Sequence, residues 1–213
     1  MPDHTKTRSA VRARMTAAER REQLIEISRA LFAERGYDGT SIEEIAARAE
    51  VSKPVVYEHF GGKEGVYAVV VDREVRRLLT MMQTALTAGR PRMLLEQAAL
   101  ALLDYIEQSS DGFRILVRDS PIGSASGSFV SIISDIASRV EHILAAEFKS
   151  RGYNPKAAPM YAQMLVGMVG TTGQWWLDAR KPSKEVVAAH LVNLAWHGLA
   201  GLERDPHLHS DPR

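Results

Sequence analysis

Between Lys53 and Lys63 the chain sets four side chains, Lys53, Tyr57, His59 and Lys63, that can each donate a hydrogen bond to a phosphate oxygen. Thr40 and Ser41 add two hydroxyls a little upstream. Such donors do useful chemistry only when a short rigid element holds them on one outward face. The neighbouring residues point to one. Ser52 can cap a helix, Pro54 fits its first turn, where a missing N–H does no harm, and Gly61-Gly62 stop it. The spacing predicts a helix over Lys53 to Phe60, with Val56 and Phe60 inward and Lys53, Val55, Tyr57, Glu58 and His59 left outside.

A second short helix precedes it. Ser41 is a good N-cap, with Glu44 three residues later as a capping-box partner. Ile42, Ile45, Ala46 and Ala49 fall on one helical face, and Glu50-Val51 make the turn. Before that, Thr16 and Glu19 form another capping box that opens a helix running to Arg35, with Leu24, Ile27, Leu31 and Phe32 inward. Gly36 stops that helix, and Tyr37-Asp38-Gly39 form a turn. Two short helices joined by a tight turn, the second barely anchored, are what a helix-turn-helix requires: one helix crosses the DNA backbone and the other enters the major groove. The same pattern also fits an ordinary helical hairpin with a polar wet side.

The stretch from Leu24 to Tyr67 resembles the N-terminal DNA-binding domain of the tetracycline-repressor (TetR) family. The matching features are ordered: an apolar helix ending at Phe32 and Gly36-Tyr37, then Thr40, Ile45-Ala46, Val51-Ser52, Tyr57, Phe60 and Lys63-Glu64. The resemblance implies that Thr40, Tyr57, His59 and Lys63 hold backbone phosphates, with Ser41 beside them. It places Lys53, Pro54 and Val55 at the front of the recognition helix, where base edges are read. There Lys53 can donate to a guanine, and the two apolar residues can touch a thymine methyl. Glu58 departs from the aromatic residue often found between the Tyr and the His, which leaves base specificity open.

Composition bounds the alternatives. The chain has 213 residues, is 45% hydrophobic and 25% charged, and has no cysteine, so it offers no disulfide framework and no thiolate chemistry. No apolar run approaches a membrane span, and the N-terminus lacks a signal-peptide core, so a cytoplasmic protein is expected. The net charge is only +1, a weak argument for nucleic acid by bulk charge. Its distribution says more: residues 1–15 carry Lys6, Arg8, Arg12 and Arg14 against Asp3. Such an arm either reaches the DNA beside the helix-turn-helix or is a solvated tail.

Beyond Gly62 the pattern is helical throughout, and no segment has strand period. One long helix is predicted from Lys63 to about Ala88, another from Pro91 to Ser109 with a stop at Asp111-Gly112, and a short one from Phe113 to Arg118. Residues 120–128 read as a Gly/Ser/Pro loop. Helices follow over Phe129–Lys149, with Ile132, Ile133, Ile136, Val140, Ile143 and Leu144 inward, then over 157–179 and 184–202. The expectation is therefore an all-α chain of about nine helices. It divides into a basic arm (1–15), a three-helix helix-turn-helix domain (16–62), a larger C-terminal helical domain (63–204) and a polar tail (205–213).

The last two helices are apolar on more than one face, which suggests one face in the core and another against a partner, a homodimer. TetR-family dimers form through such a helix pair. A large monomeric core is the alternative. The glycines at 167, 170 and 173 weaken a helix unless close packing compensates. Met82, Tyr105, Phe113, Met164, Met168, Trp175 and Trp176 supply adaptable apolar surface suited to a ligand cavity, although residues at helical spacing also serve as plain core. The resemblance implies an effector pocket in this part, and its ligand would be an apolar or amphipathic small molecule. Arg77, Arg114 and Arg118 are candidate partners for an acidic group on it.

No catalytic constellation emerges, no metal site, and no cofactor is expected. His190 and His197 lie seven apart, a packing interval rather than a joint metal-binding one, and Gly61-Gly62-Lys63 is too short for a nucleotide loop. The reading favoured is a dimeric, ligand-responsive, DNA-binding transcription regulator of repressor type acting on a near-palindromic operator. The competing reading is an all-helical carrier or sensor that does not read DNA sequence.

Overall fold

The computed structural model describes residues 15–86, 89–117, 129–204 and 206, with the side chains of 129–133 left out of the description. The expected basic arm, apart from Met15, the 120–128 loop, Arg118, the inward placement of Ile132 and Ile133, and most of the tail lie outside the described residues.

The described residues form nine α-helices and no strand: α1 Ala17–Arg35, α2 Ile42–Arg48, α3 Lys53–Phe60, α4 Lys63–Ala85, α5 Pro91–Gln108, α6 Ser110–Val117, α7 Phe129–Arg151, α8 Ala158–Ala179 and α9 Lys184–Ala200. A single 3₁₀ turn, Pro155–Ala157, precedes α8. None of the described helices is long and apolar enough to cross a membrane.

Local chemistry accounts for the ends. Both halves of the capping box at Thr16 and Glu19 form, so two orphan donors of α1 are satisfied reciprocally. At α2 only half the expected box forms. The Ser41 hydroxyl accepts from the Glu44 N–H at 3.2 Å, but the Glu44 carboxylate pairs with Arg35 of α1 instead. The longer-range cation competes successfully for the carboxylate. Ser52 occupies the N-cap of α3 without a side-chain bond, so Pro54 is the stronger local determinant of that start. At the other end Gly61 takes the left-handed conformation (φ 73°), and its N–H donates to the Tyr57 carbonyl at 2.7 Å.

The α5–α6 boundary differs from expectation. The break falls at Ser109 (φ −140°, ψ 56°), and Asp111-Gly112 lie inside α6 rather than ending α5. Gly112 is within the helix because α6 lies tight on α4: a Cβ at that position would stand 2.0 Å from the Glu74 Oε2.

One continuous core runs from α1 to α9. At its N-terminal end Leu24, Ile45, Val56 and Val66 are fully buried, one from each of α1 to α4. The rings of Phe32 and Tyr67 meet edge-on at 4.9 Å, and Tyr37 meets Tyr67 at 5.0 Å. This aromatic group pins the α1–α2 turn to the start of α4, and so fixes the frame from which α3 projects. A smaller apolar group, including Leu144, Phe148, Ala158 and Ala162, joins α7 to α8.

Candidate DNA interface and ligand cavity

α3 is held by little and shows much. Val56 is its fully buried anchor, and Phe60 is half-buried with the Arg21 guanidinium 5.0 Å from its ring centre. Lys53, Pro54 and Tyr57 are exposed, while Val55 and His59 are half-exposed. Tyr57 is 52% open, unusual for a large aromatic side chain that the fold does not use. Gly62 lies beside its ring: a Cβ there would stand 3.6 Å from Cε1, an ordinary contact, so it is the backbone (φ 143°) rather than the ring that favours glycine at this bend. Lys63, at the start of α4, holds its ammonium 4.1 Å from the centre of the Tyr37 ring.

The Lys53 ammonium meets the Glu43 carboxylate of α2. That hydrogen bond is the main reason the Glu43 carboxyl is held below the ordinary carboxylate range. Ser41 is exposed, and its hydroxyl oxygen is occupied as the α2 cap.

Thr40 requires a correction. It is only 2% exposed, and its hydroxyl donates to the Gly36 carbonyl at 2.8 Å and lies 3.3 Å from that of Leu31. Its side chain therefore serves the α1–α2 turn and is withdrawn from the face that carries Tyr57. The physical reason is that α1 ends with orphan carbonyls that need a donor, and a short β-branched hydroxyl is the nearest one.

A cavity of about 120 Å³ opens among α4, α5, α7, α8 and α9. Its walls are aliphatic, with Leu78, Leu94, Ile136, Ile143 and Leu165 prominent and Trp196 as the aromatic member. Of the seven residues expected to line a pocket, Met82 does so. The others are placed elsewhere. Tyr105 and Phe113 are fully buried core residues whose rings meet at 6.3 Å. Trp176 is buried, and its indole N–H donates to the Pro182 carbonyl at 2.8 Å. Met168 is half-buried against the core, and Met164 and Trp175 are exposed on the far side of α8. The rotation of α8 about its axis decides this, and periodicity alone does not reveal which apolar stripe turns inward. No arginine among the described residues lines the cavity: Arg77 is exposed and Arg114 pairs with Asp178 at 2.5 Å.

The outer face of α8 carries Met160, Met164, Gly167, Thr171 and Trp175 in register, and α9 exposes Val186 and Leu194. Five of the eight large hydrophobic residues exposed in the described structure are therefore on these two helices. The three glycines of α8 divide. Gly173 fits tightly, a Cβ there reaching 2.9 Å from Ile106 Cδ1, and Gly170 is buried on the cavity wall. Gly167 has open space over it.

Comparison with known proteins then decides the family. Residues 24–70 match the model of bacterial regulatory proteins of the tetR family, and residues 91–198 match that of a tetracyclin repressor-like C-terminal domain. The chain belongs to the TetR family. It is a helix-turn-helix transcription regulator, and α2 and α3 are the helix-turn-helix. Among TetR-type relatives it is 31% identical over 193 residues to the HTH-type transcriptional activator FasR of Mycolicibacterium smegmatis, covering 88% of this chain and 86% of that one. It is 29% identical over 138 residues to the HTH-type transcriptional repressor Rv3405c of Mycobacterium tuberculosis, covering 59% of this chain and 68% of that one. A TetR-like transcriptional regulator from Rhodococcus sp. RHA1 has the same fold, with a TM-score of 0.71 at 27% identity over 89% of this chain and 100% of that one. TetR proteins of both signs, activator and repressor, are thus among its relatives.

Proposed function

We propose that the protein is a cytoplasmic, ligand-responsive regulator, a repressor in the absence of its effector, that binds a near-palindromic operator as a homodimer. The observation that carries this reading is α3 itself: a helix of eight residues with one fully buried anchor that spends Lys53, Pro54 and Tyr57 on solvent. A fold gains nothing from such a helix unless a partner covers it. In this reading Tyr57, His59, Lys63 and Ser41 hold phosphates, and Lys53, Pro54 and Val55 face base edges. Thr40 contributes by fixing the start of α2. The chain works as a DNA-binding unit over 16–62 and an effector and dimerisation unit over 63–204, with the outer residues of α8 and α9 meeting their counterparts across a two-fold axis. Two α3 helices then reach half-sites about one helical turn, or a multiple of it, apart.

The effector occupies the cavity. Among the described residues the walls carry no charged side chain, and Trp196 is their one hydrogen-bonding side chain, so they select a mainly apolar body, and a charged group on the ligand would have to lie toward the opening. Release follows if the ligand favours a conformer in which the two α3 helices no longer match the half-site spacing. Selection from a random duplex library tests the DNA reading. Enrichment of a near-palindrome is the expected result. Recovery of no sequence preference would favour a carrier or sensor that has kept the helix-turn-helix only as a surface.

A further inference from the structure

The only carboxylate buried in the described core is that of Glu74, on α4, 5% exposed. Its Oε1 accepts from the Arg29 Nε of α1 at 2.8 Å. Its Oε2 accepts from the Tyr105 hydroxyl of α5 at 2.6 Å and from the Ser109 hydroxyl, at the α5–α6 break, at 3.0 Å. Arg29 closes the ring by donating from Nη2 to the Ser109 Oγ at 2.7 Å. α6 seals the group from the other side through Gly112, whose position leaves no room for a Cβ beside Glu74. The next residue, Ser110, meets Arg180 at the end of α8 at 2.5 Å, and Arg180 also donates to the Ile106 carbonyl at 3.3 Å. Two hydrogen-bonded groups, joined only by the peptide link from Ser109 to Ser110, therefore lie between the first helix of the DNA-binding part and the helix that carries the exposed apolar face.

Burying an ion pair is a poor way to gain stability. Apolar side chains of similar volume hold helices together as well or better, because they carry no desolvation cost. What a fully satisfied polar group does is select one geometry: its bonds are directional, and a small relative shift of the helices leaves a charge unpaired. The position of this group suits such a role. Leu78 and Met82 line the cavity one and two turns beyond Glu74 on α4, and Leu102 lines it three residues before Tyr105 on α5. A body that separates α4 from α5 at the cavity acts on the same two helices that the carboxylate joins.

We propose that Glu74 is a positioning residue whose clasp with Arg29, Tyr105 and Ser109 fixes the angle between the DNA-binding helices and the cavity-bearing helices, and that filling the cavity opens it. The second half rests on the effector reading given above. The consequence is that the clasp holds the DNA-competent conformer. Its loss widens the range of α3 positions rather than unfolding the protein.

The absence of cysteine from these 213 residues allows a clean test in the whole chain. Spin labels at Glu58→Cys on α3 and Ala146→Cys on α7, both exposed positions, report one distance within a protomer when the labelled protein is diluted in excess unlabelled protein. The parent should give one narrow distance. Tyr105→Phe and Ser109→Ala, each removing one donor with little change in volume, should broaden or split it, as should Glu74→Gln. Unchanged distances in Tyr105→Phe and Ser109→Ala, with only a lowered Tm, would make the group merely structural and overturn the proposal. 1-Decanol serves as the cavity probe, and a rise in Tm reports its binding. If it binds and broadens the parent distance but adds nothing in Tyr105→Phe, the coupling is supported. If it binds and leaves the parent distance narrow, the coupling is overturned. Failure of decanol to bind counts against the effector reading, and the three variants still judge the clasp on their own.

Discussion

The Lys53 ammonium lies 2.5 Å from the Glu43 carboxylate, so the cation at the front of α3 is held by an anion one helix earlier. Both side chains are more than half exposed, and an exposed pair of this kind contributes little to stability. In the proposed DNA complex its effect falls on recognition, because Lys53 would have to leave Glu43 to reach a base edge. Glu43→Gln should therefore tighten DNA binding several-fold at low salt while Tm stays within a degree or two. Lys53→Ala should relax sequence preference by about 1–3 kcal/mol at a single base-pair position. Binding isotherms against single-substituted duplexes check both. A uniform loss across all sequences in Lys53→Ala would show that this lysine holds a phosphate instead.

Thr40 separates two roles that a resemblance alone merges. With its hydroxyl bonded inside the α1–α2 turn, Thr40→Val should leave buried carbonyls without a donor and lower stability by about 1–3 kcal/mol. Base preference should not change. Thermal unfolding together with duplex binding decides the matter: unaltered Tm with a large drop in DNA affinity would mean that the hydroxyl meets phosphate.

Leu194 is 67% exposed, the most open large hydrophobic residue described. Leu194→Asp should convert the proposed dimer to monomers in sedimentation equilibrium without loss of helicity, because so open a side chain has little intramolecular packing to lose. Operator affinity should fall with it, since each protomer then binds a half-site alone. A dimer that survives this change would place the contact on other residues.

The aliphatic cavity should take up small apolar molecules. Saturating toluene is expected to raise Tm, by about 2.7 kcal/mol of added stability at a hundredfold excess over Kd. Val166→Phe, which places a ring into the space Val166 borders, should abolish the rise. Differential scanning calorimetry with and without toluene reads the result.

Much of this architecture is legible in the chain. Pro54 and Gly61-Gly62 punctuate α3 so strongly that its bounds, Lys53 to Phe60, follow from local chemistry alone. The same holds for the Thr16–Glu19 box and for the all-helical class. The cavity is not legible in this way. Its walls are mostly ordinary leucines, isoleucines and valines whose spacing is identical to that of packed core, while of the methionines and tryptophans that suggest a pocket only Met82 lines it and the others lie in or against the core or on the outer face of α8. The Glu74 clasp is also invisible in sequence. Its members are separated by up to 80 residues, and none alone points to the others: Tyr105 reads as a cavity candidate and Ser109 as a helix end. The α5–α6 break falls at Ser109 rather than at Asp111-Gly112, because Asp-Gly, a common stop, here answers a tertiary demand: Gly112 allows close approach to Glu74.

The proposed regulator role requires above all that α3 read sequence. Binding of the purified protein to fragments of its own upstream region, with excess competitor DNA across a salt titration, measures this, alongside Tyr57→Ala and Lys63→Gln. The expected result is a protected near-palindromic site, with affinity lost uniformly in Tyr57→Ala and a log–log salt slope reduced by about 1.8 in Lys63→Gln, as for one phosphate contact in each of two protomers. Weak binding shared by all DNA, erased by salt and indifferent to both substitutions, would contradict it.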